Sequence, residues 1–130
     1  MTGHRQPRPG PADGTQPAPA ILVAAVASLT DADDAIAAGA DMIDGSVLSD
    51  QAVAAIRARH PGVRLWAGSP AVADAEGESP AAVVATAAVL AWLGTPAIRT
   101  RHVLPVRRAI DMTCSIVGTR PPAITTRGLA

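Results

Sequence analysis

The sequence predicts an α/β fold built from four strand–helix units. Short continuous apolar runs alternate along the chain with Ala-rich segments that carry helix start and stop signals. Strands that alternate with helices imply a parallel sheet with right-handed crossovers. The length of 130 residues suits one domain, and a hydrophobic fraction of 48% is too high for a disordered chain.

The predicted domain occupies residues 21–118, between two polar ends. Residues 1–20 read as a flexible leader rich in Pro and Gly, and residues 119–130 as a C-terminal arm. The leader is too polar and proline-rich for a signal peptide, and no apolar run approaches the roughly 18 to 20 residues that span a bilayer. The single cysteine, Cys114, cannot form an internal disulfide. We therefore expect a cytoplasmic protein that is not bound to membranes.

The first unit begins with the apolar run Ile21–Ala27, which has the pattern of a strand covered on both faces. Thr30 is a candidate N-cap for an Ala-rich helix over Asp31–Ala38, whose first turn holds acidic side chains that suit the helix dipole. Gly39 is a typical residue for the end of that helix.

The second unit comprises a strand at Asp41–Gly45 and a helix at Asp50–Arg59. Ser49 is the predicted cap, and the sequence His-Pro-Gly after residue 59 ends the helix. The next apolar stretch, Val63–Ala67, predicts the third strand.

A longer loop over Gly68–Ser79 precedes the last two helices. We interpret it as a solvated surface loop and not as a mobile lid, because its acids would repel an anionic substrate. A serine cap and a first-turn proline predict the helix Pro80–Leu93, which is apolar nearly all round. The fourth strand is Ala97–Thr100, and the last helix starts near Pro105 and ends at about Val117.

Four strand–helix units are half of the eight in a TIM barrel. A half barrel has two bare sheet edges, which we expect to be completed or covered by oligomerisation. Two chains related by a twofold axis would close an eight-stranded barrel. The alternative is an open four-stranded sheet with helices on both faces.

The net charge of zero is the sum of two unequal halves. Residues 31–78 hold nine acids and three Arg, whereas residues 99–127 hold six Arg and one acid. Arg99, Arg101 and His102 come at the end of the fourth strand, where parallel folds carry their sites, and together suit an anion such as phosphate. The other interpretation is that these are solvated or ion-paired side chains.

Asp44 ends the second strand and is expected at the same edge of the sheet. It is either a polar anchor or general base for a ligand, or a carboxylate that pairs with Arg99 or accepts loop amides. One Cys and three scattered His give no metal-ligand spacing, so we expect no metal and no cofactor. A neutral total charge also disfavours nucleic acid as a partner.

Several stretches resemble the dihydropteroate synthases, pterin-binding TIM barrels of folate synthesis. GADMIDG at residues 39–45 resembles the family's "G-A-D-I-I-D-V-G-G" stretch, and WAGS at residues 66–69 its "V-G-x-S-R-K" strand end. IRTRHV at residues 98–103 resembles its "I-x-R-V-H-D-V" strand. The resemblance covers about residues 21–112 and implies that the four middle units of the barrel are absent.

The resemblance implies a ligand site at Arg99, Arg101, His102 and Ser69, since the family binds the anionic end of its substrate with the "R-V-H" segment. Pro70 and Ala71 stand in place of the family's "R-K", so the pterin-contacting lysine is missing. The "N-V-T-P-D-S-F" loop and the pterin-anchoring middle strands are missing too. These departures leave enzyme activity open and assign no catalytic residue.

We therefore expect a dihydropteroate-synthase-like protein that binds a pterin or a phosphate anion, without full synthase activity on its own. The alternative is a non-catalytic structural or partner subunit of a homo- or hetero-oligomer. A homo-oligomer is expected, with a dimer favoured, and the small-molecule partner is a pteridine or a phosphate-bearing compound.

Overall fold

Parallel strands and helices alternate along residues 18–118, the part of the chain that the computed structural model describes. The elements are β1 (Ile21–Ala25), α1 (Leu29–Ala37), β2 (Met42–Asp44), α2 (Asp50–Arg59), β3 (Ala73–Asp74), α3 (Pro80–Trp92), β4 (Ala97–Thr100) and α4 (Val103–Val117). The predicted arm, and the predicted leader up to residue 17, lie outside these described residues. None of the four helices in this part combines the length and apolarity needed to cross a membrane.

The four strands form one parallel sheet in the order β2-β1-β4-β3. The predicted α/β fold of strand–helix units is therefore confirmed. The first strand lies between the second and the last, with Val23 opposite Met42 on one side and opposite Arg99 on the other. Because parallel strands end at the same edge, the residues after β1, β2, β3 and β4 meet there.

The prediction for the third strand is wrong. In the region Val63–Ala67 only Leu65 forms a bridge, with Ile43 of β2. The strand that pairs with β4 is instead Ala73–Asp74, inside the predicted loop. It is held there by the backbone N–H of Ala75, which donates to the Arg99 carbonyl at 2.9 Å, and by an ion pair between the side chains of Asp74 and Arg99.

Serine side chains cap the first three helices. Ser49 and Ser79 act as predicted, but α1 is capped by Ser28, two residues before the expected Thr30. Its hydroxyl accepts the N–H of Asp31 at 3.0 Å, which is why α1 begins at residue 29. The fourth helix begins after His102 and has no side-chain cap.

The two faces of the sheet have different environments. Leu22, Ile43 and Ile98 are fully buried in one cluster with the buried residues of all four helices. Val23, which points to the opposite face, packs instead in a second cluster with Trp66. All four helices thus contribute to the core on one face, unlike the alternative with helices on both faces. Asp44 and Arg99 each follow a strand residue, Ile43 or Ile98, that faces the helices, so their side chains lie on the other face of the sheet.

Candidate functional site

A cleft of about 1340 Å³ lies at the carboxyl ends of the strands. Its walls come from the ends of the four strands and the residues that follow them, which is where parallel folds build ligand sites, together with residues of α1 and α3. Its charged lining consists of six carboxylates and two guanidinium groups: Asp31, Asp34, Asp44, Asp74, Glu76, Glu78, Arg99 and Arg101. Six negative against two positive groups give a formal charge of −4, with His102 neutral.

Arg99 is the centre of the polar network in this cleft. Its Nε donates to Asp74 Oδ1 at 2.6 Å and its Nη2 to Asp74 Oδ2 at 3.1 Å, a two-pronged pair. Its Nη1 donates to Asp44 Oδ2 at 3.0 Å. The guanidinium carbon lies 5.1 Å from the ring centroid of Trp66, within the range of a cation–π contact. Every nitrogen of the guanidinium group therefore has a carboxylate partner.

Asp44 is the buried member of this network, with 6% of its side chain exposed. Its Oδ1 accepts the backbone N–H of Ser46 at 3.0 Å, and its Oδ2 accepts from Arg99. Both contacts of the ion-paired interpretation, a guanidinium and a loop amide, are thus present. Since Asp44 also lines the cleft, these contacts are compatible with the anchoring role.

The ion pair between Arg99 and Asp74 shifts the pKa values of both groups. Hydrogen bonds from Arg99 lower the pKa of the Asp74 carboxyl, against a smaller opposing effect of burial. The same bonds raise the pKa of Arg99. Both shifts stabilise the charged forms, so the pair is ionised at neutral pH.

Arg101 and His102 lie at the cleft but outside this network. Both are exposed, and Arg101 forms no ion pair with any other described residue. The backbone N–H of His102 donates to Thr100 Oγ1 at 3.0 Å, which fixes the turn between β4 and α4. Of the two arginines predicted at this strand end, Arg101 is thus the one left for a ligand.

Ser69 does not share this location. It is exposed and is not among the described residues that line the cleft. Ser69 was expected there because residues 66–69 resemble the "V-G-x-S-R-K" strand end of the synthases, which belongs to the strand next to the last one in the barrel. In the structure that place belongs to Ala73–Asp74, whereas Leu65 pairs with β2 at the other edge.

Asp74 is a site residue that the sequence did not single out. We expected its loop to be solvated surface, yet Asp74 is the principal partner of Arg99. Val72 packs in the cluster with Trp66, and Ala75 is buried. If residues 72–75 form a strand, Asp74 lies on the same face as Val72, and Ala75 lies on the opposite face. This alternation is a weak strand signal. Three alternating residues are too few to separate a strand from a loop.

Arginines of the basic segment form ion pairs with acids of the acidic segment within the described domain. Arg99 pairs with Asp44 and Asp74, and Arg107 pairs with Asp41 at 2.9 Å. The basic segment therefore neutralises acids of the first half, and only part of its charge remains for a ligand.

Comparison with protein-family models found no match, and comparisons with curated proteins and with solved structures found none either. The resemblance to the dihydropteroate synthases therefore stands on the quoted residues alone. Among residues 18–118, no group of three or more His, Cys, Asp or Glu side chains is placed to hold a metal ion.

The pKa shifts predict that acid destabilises the fold. The pKa of Asp74 is lowered by Arg99, and that of Asp33 is lowered by its hydrogen bond with His60, both from an ordinary value of 3.8. A carboxyl with a depressed pKa in the folded state stabilises above the unfolded value and loses this contribution as pH falls through the folded value. The free energy of unfolding should be steady near neutral pH and fall below about pH 4.

Urea unfolding at a series of pH values measures this effect. Asp74→Asn should flatten part of the acid decrease. Glu78→Gln, which removes a carboxylate with no ion pair among the described residues, should reproduce the wild-type curve. An acid decrease that is the same in all three proteins would contradict the assignment to Asp74.

Proposed function

We propose that this cleft binds an uncharged planar heterocycle of the pteridine type, and that the chain alone does not carry out the full synthase reaction. The observation that carries the proposal is the buried carboxylate of Asp44 in the wall of an open cleft. Buried acceptors with spare capacity are what fix the orientation of small ligands in such clefts.

Asp44 has acceptor capacity beyond its two hydrogen bonds. A carboxylate offers about four lone-pair positions, and Arg99 and Ser46 occupy one on each oxygen. The pyrimidine edge of a pterin carries an amino group and a ring N–H side by side, both donors. Donors in this arrangement match a carboxylate, which supports Asp44 as the polar anchor.

Arg99 supplies a flat surface beside this acceptor. Guanidinium groups stack on aromatic rings, and Arg99 already does so with Trp66. Its side chain is 27% exposed and lines the cleft, so part of the group remains accessible to a ligand. A planar heterocycle that bonds to Asp44 lies within reach of that surface.

Charge favours the pteridine over the phosphate anion. The cleft has a formal charge of −4, and the nitrogens of Arg99 are taken up by two carboxylates. A phosphate would meet repulsion from these groups, whereas an uncharged donor-rich ring would not. We therefore place the ring, and not the anion, at the centre of the proposal.

The residues that differ from the synthases support binding without full turnover. Ala71 occupies the position of the family's lysine, and the middle strands that hold its other pterin contacts have no counterpart. A cytoplasmic location belongs to the same proposal, because a single cysteine cannot form an internal disulfide.

Calorimetric titration with pterin tests this function. Wild type should show saturable binding, and Asp44→Asn should weaken it at least about tenfold because a charged acceptor is lost. Asp33→Asn is the matched control, since Asp33 also pairs with an arginine but lies outside the cleft lining. The absence of binding by wild type, or equal affinities in wild type and Asp44→Asn, would overturn the proposal.

The half-barrel architecture is part of the proposal, and the strand order supports it. In a closed barrel the first strand pairs with the last, and here β1 pairs with β4 over four positions. The order β2-β1-β4-β3 is the one obtained by joining the first two and last two units of a barrel. The bridge from Leu65 to Ile43 covers part of the outer edge of β2, so the chain itself shields part of one of the two edges.

A second candidate function, a subunit of a homo-oligomer with a dimer favoured, is supported by the outer surface of α3 and α4. These two helices pack together and expose large apolar side chains. They are Val89, Trp92 and Leu93 at the end of α3, and Met112 and Ile116 on α4. No residue of α3 is charged, whereas the exposed Arg108 lies one turn before Met112 on α4. A twofold axis through the α3 part of this face therefore brings no like charges together.

Sedimentation equilibrium distinguishes this candidate from a monomeric binding protein. Wild type should be a dimer, and Trp92→Glu should be a monomer because it places charge on the apolar face. Val47→Glu is the control, because Val47 is equally apolar and 75% exposed but lines the cleft instead. A monomeric wild type, or a dimeric Trp92→Glu, would contradict the role assigned to this face.

A further inference from the structure

Asp74 holds Arg99 in the way that a bound anion would. Its two carboxylate oxygens accept from Nε and Nη2 at 2.6 and 3.1 Å, the fork arrangement that guanidinium groups also use for carboxylate and phosphate ligands. Asp74 lies at the end of β3, on the wall of the cleft. The chain's own side chain thus occupies the anion-binding edge of Arg99.

The two carboxylates on Arg99 are not equivalent. Asp44 is 6% exposed and is also held by the N–H of Ser46, so its position is fixed by the core of the site. Asp74 is 41% exposed, and Arg99 is the side chain to which its hydrogen bonds run among the described residues. Removal of the Asp74 charge would therefore free Nε and Nη2 while leaving Arg99 paired with Asp44.

The charge balance at Arg99 also depends on Asp74. Two carboxylates against one guanidinium give this group of three a formal charge of −1, and loss of the Asp74 charge brings it to zero. Arg101, which has no ion pair among residues 18–118, lines the same cleft and adds a second cation. The cleft as a whole keeps a formal charge of −3 from its five other carboxylates, so the gain for an anion comes from the freed edge of Arg99.

We propose that Asp74 is the specificity-determining residue of the cleft, which excludes anionic ligands by occupying Arg99 as an internal counterion. This inference deepens the proposed function, because it explains why the cleft takes an uncharged ring in place of a phosphate. The role of Asp74 depends on its ion pair with Arg99 and can be tested with inorganic phosphate, without the pteridine.

Titration with inorganic phosphate at constant ionic strength tests this role. Wild type and Asp33→Asn should bind phosphate weakly or not at all, whereas Asp74→Asn should bind it at least about tenfold more tightly than wild type. Asp74→Ala provides a second variant that removes the side chain entirely, and circular dichroism establishes that each variant is folded. Gains in phosphate affinity should disappear when Arg99→Gln is added to Asp74→Asn.

Two results would overturn the inference. Folded Asp74 variants that bind phosphate no better than wild type would show that Asp74 does not block Arg99. An equal gain in Asp33→Asn would assign the effect to net charge alone. A parallel titration of wild type with pterin separates this inference from the proposed function. If wild type does not bind pterin but Asp74→Asn binds phosphate more tightly than wild type, the pteridine proposal is wrong and the role of Asp74 in excluding anions stands.

Discussion

Arg99→Ala is expected to lower the free energy of unfolding by about 3 kcal/mol, because it leaves a buried charge without its counterion. Asp44 is 6% exposed and would retain only the N–H of Ser46 as a partner. The β3 strand would lose its side-chain tie to β4 at the same time, since Asp74 also bonds to Arg99. Urea unfolding followed by circular dichroism measures the loss.

Arg59→Ala is the matched control for this experiment. Arg59 is 57% exposed and pairs with Asp33 on the surface, so its loss should cost less than about 1 kcal/mol. The double variant Asp44→Ala and Arg99→Ala should recover part of the stability, because the unpaired buried charge is gone. If Arg99→Ala costs no more than Arg59→Ala, the network at Arg99 does not stabilise the fold as described.

Ile98→Ala should destabilise the fold by about 2 to 5 kcal/mol, the range for truncation of a large buried aliphatic side chain. Ile98 is fully buried on the helix-facing side of β4, which lies between β1 and β3. Truncation at this position leaves a cavity between the sheet and the helices. Thermal unfolding and urea unfolding both measure the effect.

The same substitution on α4 controls for the change of residue type. Ile116 is 67% exposed, so Ile116→Ala should change the free energy of unfolding by less than about 0.5 kcal/mol in a monomer. A small loss for Ile98→Ala would contradict the packing of all four helices against this face of the sheet.

Elements with strong local signals could be predicted closely from the sequence. The α2 helix has the predicted bounds because a serine cap precedes it and a His-Pro-Gly sequence follows it. The β4 strand also has its predicted bounds. The start of α1 was misplaced by two residues, since Ser28 and Thr30 are both good caps and only the geometry decides between them.

The third strand could not be predicted because its identity depends on long-range pairing. Val63–Ala67 has the more apolar sequence, yet Ala73–Asp74 pairs with β4. Two small residues become a strand there because the edge of β4 supplies backbone partners and Arg99 supplies an ion pair. Neither contribution is visible in the local sequence.

The position of the candidate site could be predicted from the sequence, but the sign of its net charge could not. Arg99, Arg101, His102 and Asp44 do line one cleft at the carboxyl ends of the strands. The expectation of an anion site rested on the basic second half, which gives no information about partners distant in sequence. Arg99 bonds to one carboxylate 55 positions away and to another 25 positions away, and the two give the group around Arg99 a formal charge of −1.

The most direct test of the central claim is an amide chemical-shift titration of the ¹⁵N-labelled full chain with pterin. Binding in the cleft predicts saturable shifts at Ser46, Ala75 and Arg99, next to the anchoring carboxylates. The amides of Val89 and Met112, on the outer face of α3 and α4, should not move. Shifts confined to that outer face, or no shifts at all, would contradict a pteridine site at Asp44 and Arg99.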